Sequence, residues 1–174
     1  MVPSVIFDGE TLDACEALVA ACRASGVTVG TAESCTGGLV ASAITAIPGS
    51  SEAIHGGVVS YAIPVKHEVL GVSNSILDAP GVGAVSSECA AAMAEGARRV
   101  LGCDVAVSVT GIAGPGGEEP GKPVGTVWMG LATPTSTRTF PNLFEGNRGE
   151  VRARAVRRAL QLLAQGVRDA AEKD

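Results

Sequence analysis

The 174-residue chain reads as a single α/β domain, with a mostly parallel sheet between helical layers that a late hairpin makes mixed. Three observations predict this. Short Val-rich runs alternate with helical patterns over the first two-thirds of the chain. Glycines or a proline mark the changes of period. Near the carboxyl end, the β-rich runs 124–132 and 138–144 are joined only by the turn residues Thr133-Pro134-Thr135-Ser136.

Each element has a local reason. Leu12, Cys15, Leu18, Val19 and Cys22 recur at helical spacing over 9–25, and Gly26 ends that helix. Residues 27–32 form the first strand, and a second helix follows Ser34 toward Ile47-Pro48-Gly49. The second strand covers 57–62, and Pro64 suits the first turn of a short helix through Leu70, closed by Gly71. Residues 71–84 read as loop. Ser86 caps an Ala-rich helix over 87–101, closed by Gly102. The β-branched run 104–110 is the third strand, and 111–123 is a long glycine-rich loop of the kind that more often serves function. The last helix covers 149–164, with Val151, Ala155, Ala159 and Leu162 facing inward. This makes five strands, and no repeat or linker divides 1–174 into further domains.

Composition narrows the function. The net charge of −5, with 13 basic against 18 acidic residues, disfavours extended nucleic-acid binding. One Trp, one Tyr and three Phe are too few for a base-stacking platform. The five cysteines include no C-x-x-C pair and most lie in apolar patterns, which points to a reducing compartment without disulfides. His55 and His67 lack metal-ligand spacing, so no metal is expected. The amino end shows no basic region followed by an apolar core, and no apolar run is long enough to span a membrane. A soluble, cytoplasmic protein is the expectation. Its oligomeric state is open between monomer and homo-oligomer.

Candidate chemistry centres on Val27-Thr28-Val29-Gly30-Thr31-Ala32-Glu33-Ser34-Cys35-Thr36-Gly37-Gly38, a strand, a small polar turn and a helix start. Such an arrangement offers a hydroxyl at a helix mouth, where backbone N–H groups and the dipole favour negative charge. Gly37 and Gly38 allow close approach to the main chain. Ser34 is read either as a nucleophile or, like Thr36, as an N-cap; Cys35 is the rival nucleophile. Tyr61 and Lys66 lie at a strand-to-helix corner. In the first turn of a helix the dipole disfavours a lysine's charge, partial burial acts in the same direction, and a neutral lysine can serve as the base for a serine. The alternative for Lys66 is an ordinary surface position. The loop beginning Thr110-Gly111-Ile112-Ala113-Gly114 follows a strand end, where open α/β sheets bind ligands. It has neither a Walker A ending nor a dinucleotide fingerprint. Arg148 precedes the last helix and is placed to reach a phosphate, whereas Arg152, Arg154, Arg157 and Arg158 read as a solvated face.

In order along the chain, Thr31-Ala32-Glu33-Ser34-Cys35-Thr36-Gly37-Gly38, Ser60-Tyr61…Lys66…Leu70-Gly71-Val72, Ala84-Val85-Ser86, Val109 to Gly117 and Lys122 to Val127 resemble the CinA carboxyl-terminal domain. Its enzymatic members are nicotinamide-nucleotide amidases. The resemblance implies a three-layer α/β/α fold with a mixed five-stranded sheet and the stand-alone amidase form. It also implies hydrolysis of nicotinamide mononucleotide to nicotinate mononucleotide and ammonia, in pyridine nucleotide salvage, with no cofactor. It casts Ser34 as nucleophile, Lys66 as base and Tyr61 as its partner. The backbone of Cys35, Thr36, Gly37 and Gly38 would hold the oxyanion. Thr110 and the backbone of Gly111, Ala113 and Gly114 would contact the substrate, Arg148 its anionic part, and Ser51 would line the same pocket. Ala62-Ile63-Pro64-Val65 departs from the polar Ser-Asn-Glu-Ala usual between that Tyr and Lys. Because some members lack detectable amidase activity, a non-catalytic nucleotide-binding module is the alternative.

Overall fold

A computed structural model describes residues 6–172; residues 1–5, part of the amino end read above for a leader, fall outside it. The chain order is α1 (Gly9–Ser25), β1 (Val29–Glu33), α2 (Leu39–Thr45), β2 (Ile54–Val59), α3 (Ile63–Glu68), α4 (Asn74–Leu77), α5 (Ser87–Leu101), β3 (Val105–Gly111), β4 (Thr126–Ala132), β5 (Thr137–Leu143) and α6 (Arg148–Ala171). The five strands form one sheet in the order β2-β1-β3-β4-β5. β1 pairs in parallel with β2 and β3, while β4 is antiparallel to both β3 and β5.

Helices cover both faces. α1, α2 and α6 bury Leu18, Ile44 and Leu160 against Val107 and Met129 of the sheet. α5 buries Cys89 and Met93 with Ala106 on the other side, joined by Leu70 and Val72. This is a three-layer α/β/α sandwich with a mixed five-stranded sheet. Among the described residues, no helix is long and apolar enough to cross a membrane.

The helix ends follow their side chains. Asp8 accepts a hydrogen bond from the Thr11 N–H at 2.8 Å, and Ser86 accepts one from the Cys89 N–H at 3.1 Å. Asn147 and Glu150 form a reciprocal capping box at the start of α6. α6 runs past the expected end at 164 because its apolar stripe continues through Val167. Gly166 does not stop it: a Cβ there would sit 2.6 Å from Val105 Cγ1, so the glycine marks close packing of helix on sheet. The stretch 71–84, expected as loop, contains the short helix α4, capped by Ser73.

One feature of the topology matters most for function. Glu33 is level with Val59 on one side and Val109 on the other. Ser34, Ser60 and Thr110, each one residue further on, therefore emerge side by side at the carboxyl ends of the three parallel strands. β5 runs in the same direction, so the start of α6 reaches this end as well.

Candidate active site

The Ser34 turn is not a helix cap. α2 begins only at Leu39, with Gly38 as its N-cap and no capping side chain from that residue. The cap is supplied by Glu33, 1% exposed at the end of β1. Its carboxylate accepts from the N–H groups of Gly38, Val40 and Ala41 at 2.9–3.1 Å and from the Thr31 hydroxyl at 3.2 Å. The anion-favouring amino end of α2 is thus already filled by the protein's own carboxylate. The chain leaves Glu33, turns, and returns to bond the side chain it left. Gly37 and Gly38 sit at φ 62° and 96°, so the turn needs glycine for its backbone conformation rather than for access by a ligand.

Within that turn the Ser34 N–H donates to the Val109 carbonyl at 2.9 Å, and the Gly37 N–H to the Ser34 carbonyl at 3.0 Å. With Gly37 and Gly38 engaged, only the N–H groups of Cys35 and Thr36 in the turn lack another residue's acceptor among the described residues. The expected four-residue backbone cradle narrows to these two, and of them Thr36 is 0% exposed, which leaves the N–H of Cys35. The Cys35 side chain is buried in the core beneath α1, α2 and α6, and burial raises its thiol to about 11. A buried neutral thiol is a poor rival to Ser34. Thr36 is fully buried, main chain included, and its hydroxyl has no partner among the described residues.

Lys66 is 1% exposed, the opposite of a surface lysine. Its Nζ lies 3.0 Å from Ser34 Oγ, against the Ser60 carbonyl, and 3.4 Å from the Tyr61 carbonyl. Burial, first among the causes, holds its pKa below the usual 10.5; the thiols of Cys89 and Cys35 act weakly the other way. Lys66 is the fourth of the six residues of α3, so the expected first-turn dipole effect has little helix to act through, and desolvation is the cause that lowers the value. The apolar Ala62–Val65 run keeps the corner intact, with Pro64 in the first turn of α3. The Tyr61 side chain is 61% exposed, and its hydroxyl meets Arg148 Nη2 at 3.3 Å rather than Lys66. Tyr61 reaches the lysine only through its main chain.

The facing wall comes from the third strand and α6. Thr110 is buried and donates its hydroxyl to the Ala84 carbonyl at 2.7 Å, which ties β3 to the segment before α5. Ala113 is packed in the core. Gly111 ends β3, and the Gly114 carbonyl accepts from Arg148 Nη1 at 2.9 Å. Arg148 thus links the glycine loop to Tyr61 and remains exposed. Ser51 is a correction. It lies exposed in a 3-10 turn at 50–52, before the amino end of β2, and so at the opposite end of the sheet from Ser34. A local motif match carries no information about which end of a strand it flanks.

Three contributors escaped the sequence reading. Glu33 left a signal, since a carboxylate closing a buried strand needs donors and the next helix start supplies them. The Ser60 carbonyl left none, because it is main chain. Arg152 reads in the sequence as part of the solvated face. It instead crosses from α6 to the serine turn, with Nε 3.1 Å from the Cys35 carbonyl and Nη2 3.1 Å from that of Thr36.

Comparison with known proteins shows the family and the fold. A family profile described as the CinA C-terminal domain matches residues 12–167. A CinA-like protein of Anaeromyxobacter dehalogenans is 48% identical over 151 residues, 87% of this chain and 36% of its own length. A CinA-like protein of Geotalea uraniireducens is 50% identical over 145 residues, covering 83% and 34%. The chain thus spans about a third of these relatives. Among solved structures, the competence/damage inducible protein CihA of Agrobacterium tumefaciens superposes with a TM-score of 0.88 at 37% identity, covering 92% of this chain and 98% of that one. A competence-damaged protein (CinA) superfamily protein of Escherichia coli gives 0.85 at 36% identity, covering 92% and 93%. The chain belongs to the CinA C-terminal domain family.

Proposed function

We propose that this protein hydrolyses the carboxamide of nicotinamide mononucleotide, giving nicotinate mononucleotide and ammonia for pyridine nucleotide salvage, with Ser34 as nucleophile and Lys66 as general base. The observation that carries the chemistry is the buried Lys66 Nζ 3.0 Å from Ser34 Oγ. The substrate rests on the resemblance to nicotinamide-nucleotide amidases. A neutral amine has two hydrogens and one lone pair. The Ser60 and Tyr61 carbonyls accept the two hydrogens, which leaves the lone pair for the Ser34 proton.

Ser34 Oγ attacks the carboxamide carbon as its proton passes to Lys66. The N–H group of Cys35 receives the developing oxyanion. Protonated Lys66 then delivers that proton to the departing nitrogen, the C–N bond breaks, and ammonia leaves an ester on Ser34. Neutral Lys66 next takes a proton from water, the hydroxide cleaves the ester, and the proton returns to Ser34. Arg148, exposed beside Tyr61 and Gly114, is suited to the phosphate.

The test is ammonia release from nicotinamide mononucleotide by purified protein without added metal. Wild type is expected to release ammonia and Ser34→Ala to release none while keeping its fold. Undiminished release by Ser34→Ala would remove the nucleophile. Nucleotide binding by a wild type that releases no ammonia would favour a binding module.

A further inference from the structure

Arg152 is a half-buried cation that forms no ion pair among the described residues. Its charge is directed instead at two main-chain carbonyls of the serine turn. The Cys35 carbonyl and the Thr36 N–H belong to one peptide unit, and the Thr36 carbonyl and Gly37 N–H to the next. A carbonyl that accepts a charged hydrogen bond polarises its own peptide and makes that N–H a stronger donor. Thr36 itself is fully buried, but the Gly37 N–H closes the turn onto the Ser34 carbonyl at 3.0 Å, and that carbonyl shares its peptide unit with the Cys35 N–H, which the turn leaves free. On the other side, the Glu33 carboxylate occupies the amino end of α2, adding negative charge beside the place where a second anion must develop. A positive charge on the turn's outer carbonyls offsets it.

We infer that Arg152 is a positioning residue for the oxyanion site: its guanidinium fork fixes the Ser34 turn and, through the Gly37–Ser34 hydrogen bond, strengthens the Cys35 N–H as a donor to the developing oxyanion. This rests on the Ser34–Lys66 reading above. The fork engages both carbonyls at once, which a lysine ammonium does not reproduce.

The test compares wild type, Arg152→Met and Arg152→Lys in two assays. One is ammonia release from nicotinamide mononucleotide. The other is the rate at which a fluorophosphonate labels Ser34, a reaction in which the Oγ–P bond forms, the Oγ proton passes to Lys66 and fluoride leaves, needing the turn but not the nucleotide pocket. Arg152→Met is expected to lose roughly ten- to a hundredfold in kcat and a similar factor in labelling, with KM within about twofold of wild type. Added guanidinium ion restores kcat in Arg152→Met and urea does not, a distinction that a purely structural role lacks. If Arg152→Met does not fold, Arg152→Lys carries the same test through a loss in kcat without a change in KM. Unchanged kcat and labelling in the folded variants, a loss confined to KM, or equal rescue by urea overturns the inference. A wild type that is labelled at Ser34 yet releases no ammonia overturns the substrate reading alone, and labelling then decides Arg152. A wild type that is not labelled overturns both.

Discussion

The two walls of the cleft are built on opposite principles. The wall from β1, β2 and α3 buries its polar groups: Glu33, Ser60 and Lys66 are each 1% exposed or less, and each has hydrogen-bond partners. The wall from β3 and the start of α6 leaves its charged group, Arg148, in solvent and commits its buried hydroxyl, Thr110, to holding the chain together. Proton transfer at neutral pH needs a lysine whose charge is made costly, and only desolvation achieves that here. Capture of a phosphate needs a cation that a ligand can reach. The first wall is suited to chemistry and the second to recognition.

The largest effect that can break this contrast is at Lys66. Lys66→Met is expected to lower kcat by ~10²–10⁴ and to abolish the alkaline rise that neutralising the lysine gives wild type; a wild-type pH profile in the variant would end the base role. The same residue predicts a stability signature. Because its folded pKa lies below 10.5, between those two values the unfolded chain holds a proton that the folded chain lacks. Lys66 therefore costs stability at low pH, and the cost fades as pH rises through that window. Wild-type stability alone would not show this. Burial raises Cys15, Cys22, Cys35, Cys89 and Cys103 from 9.0 to about 11, which lowers stability as pH climbs past 9.0. The difference between wild type and Lys66→Met in urea unfolding largely removes the shared thiols. That difference is expected to move in favour of wild type from neutral pH toward 10.5; a pH-independent difference contradicts a desolvated lysine.

A smaller effect separates the second wall. Arg148→Met is expected to raise KM for nicotinamide mononucleotide about tenfold with kcat nearly kept, the pattern of lost uniform binding. A fall in kcat at constant KM would move Arg148 into the chemical step. The smallest effect sharpens the role of Thr110. Thr110→Val removes one buried hydrogen bond and is expected to cost about 1 kcal/mol in stability, with KM unchanged. A raised KM with unchanged stability would return Thr110 to the substrate.

Much of this was legible in the chain. Helical spacing, Gly26, Gly102 and the cap Ser86 placed α1 and α5, because those signals act within a few residues of the elements they set. Alternating strands and helices determined a largely parallel sheet, and that order alone brings Ser34, Lys66 and the 110–114 loop to one end of it. Three things were decided only by the tertiary structure. Lys66 reads as a surface residue or a helix-start lysine until packing of α3 beside Cys89 and Cys35 desolvates it. Arg152, 117 residues from Cys35, reads as part of a solvated stripe until α6 crosses the turn. Ser51 reads as a neighbour of Ser34 until β2 places it at the far end of the sheet. Spacing along the chain encodes local hydrogen bonds, whereas burial and long-range contact depend on which faces meet when the layers close, and that sets the charge and aim of the groups in this cleft.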